Sequence, residues 1–322
     1  MKKFLKALRK IYTKIWAAPI LPELEFECDP LTVSDMICDL LSSDEPCMIA
    51  RFGSTELHTI VNYLGIKQGT AIIKYVKGEA LDWWWNPEKL NNIKIYSGFF
   101  PPTPDSVGKF CEMMLEDTKC VDILGSWVKE EYYMREYLSK ARKVQLRLLE
   151  PYFSENPWSR VLKGKNVLVV HPFAETIEKQ YQNRRLLFEN PDVLPDFNLF
   201  TIRAVQSLSG ELTGFSDWFE ALQWMEDEID KINYDVCLIG CGAYGFPLAA
   251  HVKRQGKKAV HLGGALQLLF GIRGKRWEDP NLGVSMGVPP RYYLNLMNDY
   301  WIRPGNDLKP SGADKIEGGC YW

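Results

Sequence analysis

Two short segments carry residue types that can handle a phosphate and a proton. Gly240-x-Gly242-x-x-Gly245 follows the apolar run Val236–Ile239, with Pro247 just beyond it and Gly256 further on. Glycines let a backbone approach phosphate closely, and a helix N-terminus adds unpaired N–H groups and a positive dipole end. The same sequence also fits a tight strand-to-helix turn that holds no ligand. Arg51-Phe52-Gly53-Ser54-Thr55-Glu56 follows a second apolar run, Cys47–Ala50. It pairs a guanidinium suited to diphosphate with a carboxylate suited to general-base work. Glu56 equally fits a first-turn carboxylate complementing a helix dipole, with Ser54 as N-cap, and Arg51 an ordinary ion-pair partner.

His171 and Glu175, after the run 167–170, read as a base and its partner that activate an acceptor hydroxyl. They also read as a strand cap and a solvated helix residue. His261 ends another apolar run, where a lone histidine is commonly a satisfied core residue. Arg184 and Arg185, the aromatic run Trp83-Trp84-Trp85, and the basic loop 271–276 are further candidates for phosphate or sugar contact. Each has an ordinary reading as solvated surface or core.

These residues need elements to hold them. Apolar runs at 47–50, 93–96, 121–124, 167–170, 199–202, 236–239 and 259–262 read as buried strands. Amphipathic stretches at 106–116, 129–149, 176–188 and 218–231 read as helices between them. Such alternation predicts an α/β fold, a mainly parallel Rossmann-like sheet flanked by helices. Five strand ends run into polar or glycine-rich sequence, at Arg51, Gly125, His171, Gly240 and Gly263. Ligands bind outside the carboxyl ends of open parallel sheets, so these five ends predict one site on one edge. A dinucleotide dehydrogenase or a methyltransferase would want an acid at the end of the strand after the glycine loop. This chain has His261-Leu262-Gly263-Gly264 there.

The 322 residues are 46% hydrophobic and 25% charged, which suits a globular protein with a sizeable core. A net charge of −2 gives no nucleic-acid signature. The eight cysteines form no CxxC pair, which points to a reducing, cytoplasmic compartment. Residues 1–16 form a basic amphipathic helix whose pattern fits either an anionic membrane surface or the protein's own body. A linker to residue 22 follows. Residues 23–275 then hold the α/β domain, with halves of about 23–162 and 163–275, and 276–322 wrap the surface or cover a site.

The segment 51–56 resembles the Arg-Phe-Gly-Asp-Gly-Glu motif of the GT-D fold glycosyltransferases. Residues 238–249 resemble that family's glycine-rich loop and helix, and 257–263 its following strand, with matching order over roughly 45–270. The resemblance implies a GT-D-like fold and sugar transfer from a nucleotide-sugar, with a UDP-sugar expected, to a glycan or lipid-linked acceptor. With that resemblance, Arg51, Gly53, Ser54, Gly240, Gly242, Tyr244, Gly245, His261 and Gly263 are expected to surround the donor, and Glu56, His171 or Glu175 to be catalytic by activating the acceptor hydroxyl. The family's carboxylate pair binds a divalent metal, Mn²⁺ or Mg²⁺. Here the first acid of that pair is Ser54 and only Glu56 remains, while the family's later Asp and His positions hold His261 and Gly264. A non-catalytic nucleotide- or glycan-binding partner of an assembly complex is the alternative this departure leaves open.

Overall fold

A computed structural model describes the whole chain except residues 211–212, 306–308 and 310–318. Seven strands form a single all-parallel sheet in the order β3-β2-β1-β7-β6-β4-β5. In chain order the elements begin with α1 (Lys2–Ile15), α2 (Pro30–Ser42), β1 (Cys47–Ala50), α3 (Ser54–Gln68), α4 (Ile72–Val76), α5 (Pro87–Ser97) and α6 (Pro104–Thr118). Next come β2 (Ile123–Ser126), β3 (Arg142–Gln145), β4 (Asn166–His171), α7 (Ala174–Tyr181), α8 (Arg184–Leu187) and β5 (Asn198–Arg203). The rest are α9 (Trp218–Asp230), β6 (Val236–Ile239), α10 (Gly245–Arg254), β7 (Lys258–His261), α11 (Leu266–Leu269) and α12 (Tyr292–Leu296).

The central strands are apolar on both sides because helices cover both faces. Alternate residues of one strand enter different cores. Met48 and Ala50 join Phe110, Trp218 and Leu248 on one face, whereas Cys47 and Ile49 join Ile37, Trp158 and Leu268 on the other. The sheet crosses the expected boundary at 163–165 without a break, since β1 pairs with β7 in the register Cys47↔Lys258. The two halves of the sequence therefore share one sheet.

Four expected elements are different. Residues 93–96 are helical, within α5. Asn86 caps that helix by accepting from Glu88 N at 3.2 Å, Pro87 opens it, and Gly98 closes it in the left-handed region. These flanking signals outweigh the short apolar run inside it. Residues 129–149 do not form one helix. The Glu131 carboxylate turns back on the end of β2, accepting from Trp127 N at 2.9 Å and Val128 N at 3.1 Å, and also from the Ser126 hydroxyl. A short 3₁₀ turn results, followed by edge strand β3, whose sequence Arg-Lys-Val-Gln buries only Val144. The run at 121–124 becomes a strand two residues later, at Ile123–Ser126. The stretch 176–188 divides into α7 and α8.

Among the described residues no helix is long and apolar enough to cross a membrane. Helix α1 packs against α4, with Leu5 buried beside Tyr75 and Trp84.

Candidate functional site

The chain leaves β1 for β2 on one side of the sheet, and β4 for β5 on the other, while β6 and β7 fill the middle. Loops at the carboxyl ends of β1, β7, β6 and β4 are thus led apart, which opens a crevice at that edge. A cavity of about 450 Å³ lies there. Arg51, Gly53, Ser54 and Glu56 line it after β1, and Trp127 after β2. His171 ends β4, Gly240, Gly242 and Tyr244 follow β6, His261 ends β7, and Gly263 and Gly264 follow it. Convergence of these strand ends, expected from the sequence, is observed.

Three glycines of the β6 loop serve different purposes. A side chain at Gly240 would come within 2.6 Å of the Gly263 carbonyl oxygen and 2.9 Å of the His171 ring, so this residue lets two strand-end loops approach. Gly242 has a φ of +60°, with nothing within 4 Å of a would-be Cβ. It supplies the left-handed turn and leaves bare backbone facing the cavity. Gly245 is outside the lining; its α-carbon rests on the His261 imidazole, where any side chain would collide. It therefore sets the approach of α10 to β7.

Gly53, not Ser54, is the N-cap of α3, and Glu56 lies in the first turn. The Glu56 side chain folds back over Gly53 and is buried, leaving no room for a side chain there. Beside it, the Arg51 guanidinium lies 5.2 Å from the centre of the Trp127 ring. Burial lowers the pKa of Arg51 from its ordinary value. Arg276 and Arg147 add like-charge repulsion, while Glu56 and Tyr321 oppose the shift. Arginine stays charged throughout. The cavity floor therefore carries a poorly hydrated cation, with Glu56 next to it.

Both histidines are neutral at pH 7. Burial lowers the pKa of His171 to about 3, and burial together with the Arg51 charge does the same for His261. Nδ1 of His171 accepts the Phe173 N–H at 3.0 Å. In a neutral ring the proton then belongs to Nε2, so His171 offers a donor and not the general base expected of it. His261 Nδ1 lies 3.2 Å from the Ile239 carbonyl oxygen, an acceptor, so the ring donates there and holds its lone pair on Nε2.

Glu175 does not join the site. It lies in the first turn of α7, is absent from the cavity wall, and pairs with Arg203 at 3.6 Å. Arg184 and Arg185 both pair with Asp196. Trp84 is core, packed with Tyr75 and Leu5.

Several lining residues lie outside the sequence expectations. Asn92, Tyr96 and Ser97 come from α5, and Gln206 and Ser207 from the loop after β5. The Ser207 hydroxyl donates to Gly98 O at 2.7 Å and sits 3.0 Å from the Tyr244 hydroxyl, while Ser97 Oγ is buried without a partner among the described residues. Tyr321 and Trp322 also line the cavity. Lys275 N donates to Trp322 O at 3.3 Å and Arg276 N to Cys320 O at 3.0 Å. Gly264 has no side chain because the Tyr321 ring lies against it. From the segment after 275, which the sequence reads as wrapping the surface or covering a site, Arg276, Tyr321 and Trp322 line the cavity. Only the aromatic pair itself could have signalled that role.

Among the described residues lining the cavity, Glu56 is the only carboxylate, and no three His, Cys, Asp or Glu side chains are grouped to hold a cation. Hard cations such as Mg²⁺ and Mn²⁺ take several oxygen ligands. One carboxylate beside a guanidinium does not fit that need.

No known protein family, curated protein or solved structure matched this chain in sequence or structural comparison.

Proposed function

We propose that the chain is a cytoplasmic glycosyltransferase that takes a sugar from a nucleoside-diphosphate sugar, a UDP-sugar first, to a glycan or lipid-linked acceptor. The observation that carries this reading is the joining of Arg51, Glu56 and the bare backbone of Gly240–Gly242 on one cavity at the carboxyl edge of the sheet. The volume suits a nucleotide-sized ligand.

In this reading the donor's diphosphate lies along the loop at 240–242, against the Arg51 guanidinium. Charge grows on it as the bond between the sugar's anomeric carbon and the phosphate oxygen breaks. A fixed cation in a poorly hydrated site stabilises such charge without reorganising. The acceptor hydroxyl oxygen forms the new bond to the anomeric carbon, and its proton goes to Glu56. His171 and His261, neutral, shape the wall. The aromatic residues Trp127, Tyr321 and Trp322 offer stacking faces for the base or a sugar. Ser97, Ser207 and Asn92 supply hydroxyl and amide groups for orientation.

A thermal-shift screen tests the reading, with UDP, GDP, CMP, NAD and S-adenosyl compounds, each with and without Mn²⁺. A ligand that binds only the native state raises the melting temperature. Stabilisation by one nucleoside diphosphate, lost in Arg51→Ala, is the expected result. Stabilisation by NAD or a methyl donor alone would overturn it. Nucleotide binding with no transfer or donor hydrolysis would favour the non-catalytic partner, which the lone carboxylate otherwise suggests.

A further inference from the structure

Helix α1 is amphipathic in sequence, yet its apolar residues do not all meet the protein. The side facing the body holds Leu5, buried, with Lys2 5.9 Å from the centre of the Trp84 ring and Arg9 4.8 Å from that of Tyr75. Lys6 lies 3.8 Å from Asp82, and Arg9 donates to Ala80 O at 3.1 Å. Three of the six basic residues are thus committed to the body. On the outer side Phe4 is 66% exposed, Ile11 57% and Ile15 64%, spaced as one helical stripe. Trp16 follows, exposed and stacked on Tyr12. Lys3, Lys10 and Lys14, all exposed, run beside that stripe. The partner helix α4 adds Ile72 and Ile73, also exposed, with Lys74 after them.

We infer that this outer side of α1 docks on a bilayer surface containing anionic lipid. Charge chooses the occupant: residues 1–22 contain six Lys and Arg and no Asp or Glu. Each basic residue close to an anionic leaflet adds to attraction, while apolar side chains and a tryptophan enter the interface. Fourteen residues in α1 make a helix of about 21 Å, too short to span a bilayer but suited to lying in its surface. Because Leu5, Arg9 and Lys6 hold the helix to the body, binding does not require it to detach. The surface uses none of the cavity residues, so its test is independent of the proposed reaction.

The test is co-sedimentation of the full chain with vesicles of phosphatidylcholine alone, or with about 30% phosphatidylserine, at low and high salt. The chain should bind anionic vesicles, bind neutral ones at least tenfold less well, and weaken as salt rises. A Phe4→Ser, Ile11→Ser, Ile15→Ser variant and a Lys3→Glu, Lys10→Glu, Lys14→Glu variant should each lose at least tenfold. Both should keep the wild-type melting temperature and nucleotide-induced shift, since the changed side chains are exposed. The inference is overturned if the wild-type chain ignores anionic vesicles, or if neither variant alters binding. It also fails if sedimentation equilibrium shows the face closing a dimer that the serine variant dissolves.

Discussion

The Arg51 guanidinium lies over the Trp127 ring, 5.2 Å from its centre, and the indole N–H donates to Phe52 O at 3.0 Å. The indole is tied to the residue next to the arginine it carries. A cation over an aromatic face is attracted to it, and Arg, being flat, stacks as Lys cannot. Arg51→Ala should weaken nucleoside-diphosphate binding about 10- to 100-fold, the loss for a charged hydrogen bond of ~1.5–3 kcal/mol. Arg51→Lys should recover little of it. Isothermal titration calorimetry with both variants checks this, and full affinity in Arg51→Ala would remove the arginine from the site.

Glu56→Gln separates binding from transfer. The amide keeps the shape that folds over Gly53 but accepts no proton. Transfer should fall about 10²- to 10⁴-fold, the usual worth of a positioned acid or base, with nucleotide affinity held within a few-fold. Radiolabelled donor assays alongside calorimetry supply both numbers.

The buried histidines make stability depend on pH. An unfolded histidine takes up a proton below about 6.5, and a folded His261 only near pH 3. The unfolded state therefore binds more protons in that window, and stability falls as pH drops through it. Asp117, raised by burial to about 6, acts in the opposite direction, so a paired comparison is needed. Between pH 6 and 4.5 the stability of His261→Asn should fall less steeply than wild type, by up to ~1.4 kcal/mol per pH unit. Urea melts across that range measure it; equal slopes would refute a buried, neutral His261.

Glycines of one loop should respond differently to the same change. Gly245→Ala forces a methyl into the His261 ring and should cost ~1–3 kcal/mol of stability. Gly242→Ala meets no atom but places an alanine at positive φ, a cost of ~1–2 kcal/mol, and puts a methyl in the cavity. Nucleotide affinity, corrected for folded fraction, should drop for Gly242→Ala and hold for Gly245→Ala.

Much of the central sheet was readable because β1, β4, β6 and β7 are buried on both faces and so appear as unbroken apolar runs. Strand β3 was hidden for the converse reason: at the edge, Arg-Lys-Val-Gln needs only one buried side chain. The site was legible where chemistry follows a strand directly, as at Arg51, His171 and Gly240. Position alone could not say which nitrogen of His171 carries the proton, since the Phe173 N–H decides that. Nor could it show that Glu175, four residues on, turns away to Arg203. Tyr321 and Trp322 reach the cavity through packing across the whole chain, which no local pattern encodes.

The pairing of β1 with β7 also governs how the molecule comes into being. Cys47 waits for Lys258, about two thirds of the chain later, and such distant contacts slow folding because a very large loop must close first. A growing polypeptide thus carries the open edge of β1, a template for wrong strands, until β6 and β7 have been made. Arg51 and Glu56 are synthesised early but acquire their opposite wall last. A chain stopped short of residue 258 therefore lacks the wall formed by His261, Gly263, Gly264, Tyr321 and Trp322.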